Sequence, residues 1–486
     1  MLSAGLMVPA HALAHAFDER HELPVPLWYF VIGVAATVAV SFLIVALFAW
    51  WSNQVQRAES APLTVTIAVG PLLPFARGLC RLLAVLILFA TIAAALAGTA
   101  NPTMNLAPTL VWVIWWVGGS LFVAGVGNIW PACDPWLAMI EFVDARVRRC
   151  FPTFRAGRGV FFNCRWPAAL GAWPSVALLM VWSGFEVIFP LAAVPTRIGI
   201  AAIAWTVITI AGMVCFGIET WRKNADVFAI YFDTLGRFAP LAVIPNRRQL
   251  LLRIPGSGLI GANAQSLAMA AFIVAMLAGV LFDGLLAGEA WRGIEQSLRL
   301  QAPKLMDANA YLTGSLGLLL VWLLLFALFM LASAVTGVIR GKPEGVIGNA
   351  LAFSPSLVPI AIAYMVAHNL PTLIVRGQNL VPLLSDPLGA GWNIFATAGY
   401  RPNSSIIGMG AAWHIAISAI VAGHVISVWL AHRAALRICE TPREAVLACI
   451  PLTFVMVVFT GMSLLVLAEP MVSFDPAPGA IALPVR

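Results

Sequence analysis

The sequence predicts an all-α polytopic membrane protein, a helical bundle of about ten transmembrane helices. Three observations predict it. Of the 486 residues, 61% are hydrophobic and only 10% are charged, whereas a soluble chain carries roughly 25% charged residues. Apolar runs of the length needed to cross a bilayer, roughly 17–25 residues, recur along the whole chain. Lysine and arginine, finally, segregate into alternate loops. An apolar excess of this size cannot be enclosed in one core and has to face lipid.

The spans fall at 28–51, 82–98, 108–128, 167–189, 197–218, 266–288, 315–338, 355–375, 410–432 and 446–468. Loops 52–81, 129–166, 219–265, 339–354 and 433–445 hold 20 of the 28 Lys and Arg residues. The basic side of a membrane protein faces the cytoplasm. A segment 1–27 and a tail 469–486 therefore flank the membrane domain 28–468 on the extracytoplasmic side, and a bacterial inner membrane is the expected location. Cysteines agree: six of the seven lie in or beside the basic loops, none lies in an outer loop, and no CxxC spacing occurs, as suits a compartment where thiols stay reduced. The first fourteen residues, MLSAGLMVPAHALA, resemble a weak signal peptide with ALA before His15. The alternative is a short uncleaved segment at the outer surface.

Two basic loops are long. In ETWRKNADVFAIYFDTLGRF, apolar Val227, Ile230, Tyr231 and Leu235 at three- and four-residue spacing predict a helix lying in the interface plane. The outer loops 289–314 and 376–409 are long enough for lids or binding loops, and Gly, Pro, Asn and Ser in the second mark turns. Tryptophans at span ends read as an interfacial belt.

Polar residues within the spans carry the functional reading. His414, His424 and His432 share one span. At 1.5 Å per residue, His414 lies roughly 6 Å below the outer boundary and His424 near 20 Å, so one metal cannot bind both through this helix. His432, beside Arg433, reads as an interface residue that snorkels, and His424 as one that faces and hydrogen-bonds a neighbouring span. At the depth of His414 lie His368 (with Pro371 one turn on), Asp283 and Glu186. Ionisable groups at such depth cost about 2.5–3.5 kcal/mol each on insertion scales and are usually paired or functional. Imidazoles with carboxylates also form the ligand set of zinc and copper, and such a metal would supply hydroxide at neutral pH. The expected metal ligands are His368, His414, His15 and His21, with Asp283, Glu186 and Asp386 as catalytic carboxylates. If His15 becomes the N-terminal residue, its amine and imidazole, with His21, match a copper histidine brace. The structural alternative is that each group is satisfied within the bundle. The fallback site is the Asp134, Glu219 and Asp226 region among the basic loops.

Several strings carry a family resemblance: AHAFDERHELPVPLW, NPTMNLAPTLVWVIWWVG, NIWPACDPW, DVFAIYFDTLGRFAP, FSPSLVPIAIAYMVAHN, SDPLGAGWNIFATA and WHIAISAIVAGHVISVWLAHRAAL. In this order they resemble the bacterial integral-membrane fenitrothion hydrolases over most of the chain. The resemblance extends to His15, His368, Asp386, His424 and His432, as scaffold or as site, and carries over no catalytic residue. It implies hydrolysis of an organophosphorus triester, in which water displaces an aryl group from a dialkyl thiophosphate. Expected partners are the lipid bilayer, an apolar small-molecule substrate and a homologous membrane subunit, with no nucleic acid. The rival functions are a transporter or channel, and a non-catalytic metal-binding membrane subunit.

Overall fold

Every apolar span that falls within the described residues is helical. The computed structural model describes residues 65–68, 72–151, 159–189, 191–244, 249–308 and 311–468, together with Gly33, Val40 and Leu43. The span at 28–51 falls outside them except for those three positions.

In chain order, strand β1 (Val65–Ala68) precedes α1 (Leu72–Ala97). The third span is α2 (Leu106–Gly125), whose middle, Thr109–Gly118, is a π-helix. Short α3 (Trp130–Cys133) leads into α4 (Pro135–Cys150). Span α5 (Trp173–Ile188) is shorter than the run 167–189 and also ends in a π-helical turn, Gly184–Ile188. Then follow α6 (Pro195–Phe216), α7 (Ile218–Asn224) and α8 (Val227–Gly236). A hairpin of β2 (Leu241–Ile244) and β3 (Gln249–Leu252) precedes α9 (Leu267–Ala287). The loop 289–314 carries α10 (Glu289–Gln301) and α11 (Pro303–Ala308). The remainder is α12 (Leu312–Ile339), α13 (Val346–Phe353), α14 (Val358–Arg376), α15 (Leu380–Ser385), α16 (Met409–Ile438) and α17 (Pro442–Ala468). Among the described residues, eight helical segments are long and apolar enough to cross a membrane, and the protein is a multi-pass membrane bundle.

Helix starts follow from local chemistry. Asn105, Asp134, Asp226 and Ser266 each turn a side-chain oxygen onto a backbone N–H two or three residues on, satisfying donors that a first turn leaves open. Outward faces are apolar: α1 exposes Phe75, Leu79, Leu82, Leu86 and Phe89, and α12 exposes Leu316, Leu320, Leu324 and Leu331. Stripes of this kind belong against acyl chains, where packing rather than water exclusion holds helices together. Helix α14 is enclosed over its first half, with residues 358–365 all buried. Gly423 of α16 lets the two backbones touch. A Cβ there would fall 2.3 Å from Ala363 Cβ and 2.8 Å from the Pro359 carbonyl oxygen.

One expectation is corrected. Helix α8 exists, but it does not lie in the interface plane: Val227, Phe228, Ile230, Tyr231, Phe232 and Leu235 are all buried. The positions between the spaced residues are apolar as well, and a helix apolar on all sides belongs in a core. The basic loops also hold a three-stranded antiparallel sheet in the order β1-β3-β2, with Leu252 opposite both Val65 and Leu241. Its pairing joins segments nearly two hundred residues apart, which no local pattern announces.

Candidate functional site

Two of the expected site residues meet, and a third lies within electrostatic reach of them. Asp283 stands one turn before the end of α9, Glu186 sits in the π-helical turn that closes α5, and His368 lies on α14. His368 Nε2 is 2.8 Å from Asp283 Oδ2, with both side chains mostly covered. Glu186 is within electrostatic reach of Asp283 and lies beside the Trp116 side chain. Helix α14 continues through Pro371 to Arg376, although proline there removes the bond to the Ala367 carbonyl. π-Helical turns often mark functional positions, and here one carries Glu186 and the other carries Trp116.

Around this group the walls are aromatic. The Trp116 ring stacks on Tyr231 at 4.8 Å and meets Trp182 at 5.2 Å. The Tyr231 hydroxyl donates to Met365 Sδ at 3.9 Å and lies within electrostatic reach of Glu186. Tyr364, one turn before His368, stacks on its ring at 6.2 Å. Tyr364 was readable from the sequence, because residues four apart share a helix face. Trp116 and Tyr231 had no such signal, since their partners lie on other helices.

The remaining candidates lie elsewhere. His414 is exposed in the second turn of α16, away from the buried face that carries Ala416 and Ile420. Asp386 is engaged by its own loop, accepting the backbone N–H groups of Ala390 at 2.9 Å and Gly391 at 2.7 Å. That turn packs on the start of α2, where Leu106 N–H donates to the Pro387 carbonyl. A side chain at Gly389 would collide with Thr99. His15 and His21 fall outside the described residues. Among the described residues, no group of three or more His, Cys, Asp or Glu side chains is placed to hold a metal ion.

His424 faces the interior, 1% exposed. Its Nδ1 is 2.8 Å from the Ile420 carbonyl of its own helix, so its hydrogen bond does not reach a neighbouring span. Nε2 has no partner among the described residues. His432 is buried too, 6% exposed, and does not snorkel. The close approach of α14 and α16 seals this face.

The fallback region has its own geometry. Asp134 caps α4 and contacts Arg222 from α7, and Asp226 caps α8 by accepting the Ala229 N–H at 3.0 Å. Burial pushes the Asp226 carboxyl up to about 7, the charge of Asp134 adds to the rise, and Arg222 opposes it. Burial raises Asp134 as well, against the pull of Arg222. Glu219 is exposed and lines a half-open cavity of about 440 Å³ with Arg222, Lys223, Arg237 and Asn128. No family model, curated protein or solved structure matches the chain.

Proposed function

We propose that this membrane protein hydrolyses apolar organophosphorus triesters of the aryl dialkyl thiophosphate class, using the His368–Asp283 pair as the base that activates water. The observation that carries the reading is the 2.8 Å contact between His368 Nε2 and Asp283 Oδ2 beside Glu186. A carboxylate that holds one ring nitrogen orients the imidazole and stabilises the imidazolium formed when water gives up its proton. Glu186 places a second acidic side chain beside the pair. The aromatic walls suit an aryl leaving group, and a substrate of this class partitions into lipid, where these spans can receive it. The family resemblance points to the same chemistry.

Among the described residues no three His, Cys, Asp or Glu side chains form a metal group; in this reading water is activated by His368 and Asp283. The basic loops are read as cytoplasmic, in a bacterial inner membrane, and that orientation sets the site near the extracytoplasmic surface with both termini on its side.

The test is release of nitrophenol from an aryl dialkyl thiophosphate by the purified protein in lipid nanodiscs. Turnover is expected for the wild type, with a fall on the order of a hundredfold or more for His368→Asn and Asp283→Asn. A chelator arm reports on metal ligands from the N-terminal segment, since loss of turnover that zinc or copper restores would bring His15 and His21 into the site. Absence of turnover by the wild type would reject the hydrolase reading, and full activity in both variants would reject the pair as its base.

A further inference from the structure

The group at His368 supplies proton acceptors, yet attack of water on phosphorus also needs a donor for the atom on which negative charge grows. Tyr364 is placed for that task. Its side chain is 5% exposed, and its hydroxyl has no hydrogen-bond partner among the described residues. The ring is stacked against His368 at 6.2 Å with 28° between planes, and the hydroxyl lies within electrostatic reach of Asp283. A buried O–H without a partner is unfavourable, and the group next to it is the one that would act on a ligand. The hydroxyl is held by a rigid part of the fold: residues 358–365 of α14 are buried on all sides, and Gly423 clamps α16 against that stretch at Pro359 and Ala363. A donor fixed in this way needs no reorganisation when charge appears.

We propose that Tyr364 donates its hydroxyl proton, as a hydrogen bond, to the phosphoryl or thiophosphoryl acceptor atom of the bound ester. The inference rests on the hydrolase reading above. In the step, the water oxygen bonds to phosphorus and its proton passes to the His368–Asp283 pair. The aryloxide leaves with the electron pair of its P–O bond, and Tyr364 keeps its proton throughout. Sulfur accepts hydrogen bonds more weakly than oxygen. The site should therefore distinguish P=O from P=S esters, and that preference should belong to Tyr364.

The experiment compares wild type with Tyr364→Phe, in nanodiscs, on the P=O and P=S forms of one aryl dialkyl ester. Binding of a trialkyl phosphate and of its thio analogue is measured alongside. Loss of the hydroxyl is expected to lower kcat for the P=O ester on the order of tenfold to a hundredfold, to affect the P=S ester less, and to weaken binding of the trialkyl phosphate selectively. A purely structural hydroxyl would leave the P=O to P=S ratio unchanged, and that result overturns the inference while the hydrolase reading stands. Failure of the wild type both to turn over either ester and to bind the phosphate overturns the two together. Should the phenylalanine variant not fold, a fluorotyrosine placed at 364 keeps the shape and strengthens the donor. The ratio should then move toward P=O, and no movement counts against the proposal.

Discussion

Replacing Asp226 with asparagine should stabilise the protein at neutral and mildly alkaline pH. Asp226 is 2% exposed, and one carboxylate oxygen accepts the Ala229 N–H at 3.0 Å while the other has no partner among the described residues. Burial, with the nearby Asp134, lifts its pKa from 3.8 to about 7. The folded protein therefore holds a proton that the unfolded chain has already released over that interval. A state that binds more protons loses stability as pH rises. Asp226 is harmless below about pH 4, becomes progressively unfavourable up to about pH 7, and above that imposes its full penalty. The displacement corresponds to on the order of 4 kcal/mol. Asparagine copies the neutral acid, keeps the oxygen that caps α8, and ranks with aspartate as an N-cap. Unfolding of wild type and Asp226→Asn in the same detergent, at about pH 5 and about pH 8, reads the difference. The variant should gain at least about 1 kcal/mol on the wild type between the two pH values. Asp226→Ala, which also removes the cap, should fall about 1 kcal/mol below Asp226→Asn at both. An Asn variant less stable than wild type at the higher pH, or one that tracks it across both, would refute the argument.

Three further outcomes follow from the packing. Arg222→Ala strands Asp134, 1% exposed and in contact with the guanidinium, and should cost about 3–5 kcal/mol in the same unfolding assay. Adding Asp134→Asn should recover part of that loss, and no recovery would argue against the pair. Gly423→Val places atoms where Ala363 and Pro359 already sit, so α14 and α16 must separate at a cost of about 1–3 kcal/mol; an unchanged denaturation midpoint would contradict the close approach. Asp386→Ala releases two backbone N–H groups and should open the 386–400 loop to protease while global unfolding stays put. Equal protection in both proteins would mean the carboxylate does not hold the loop.

Depth along a span was legible in the sequence, whereas direction around it was not. His368, Asp283 and Glu186 were grouped by counting residues from span ends; His368 and Asp283 do meet, and Glu186 lies within electrostatic reach of Asp283. His414 was counted to the same depth and is exposed on α16. In a membrane both the lipid face and the interior face are apolar, so the hydrophobic periodicity that reveals the buried side of a soluble helix carries less information here. The same ambiguity explains α8, where spacing suggested a half-exposed helix and Phe228 and Phe232 turn it into core. Asp386 was singled out for its loop, but the Asp-x-x-Gly-Ala-Gly turn it organises is a local hydrogen-bond pattern that short-range chemistry accounts for. The β1-β3-β2 sheet depends on pairing between distant segments, so composition in the basic loops could not announce it.

If His368 and Asp283 form one base, their losses should not multiply. The decisive measurement is kcat/KM for hydrolysis of an aryl dialkyl thiophosphate by wild type, His368→Ala, Asp283→Asn and the double variant, each shown to be folded in nanodiscs. Residues that act as a unit show strong non-additivity, so the double variant should be no slower than the worse single variant to within a factor of about three. Losses that multiply across the two sites, or single variants that match the wild type, would contradict a shared catalytic role for the pair.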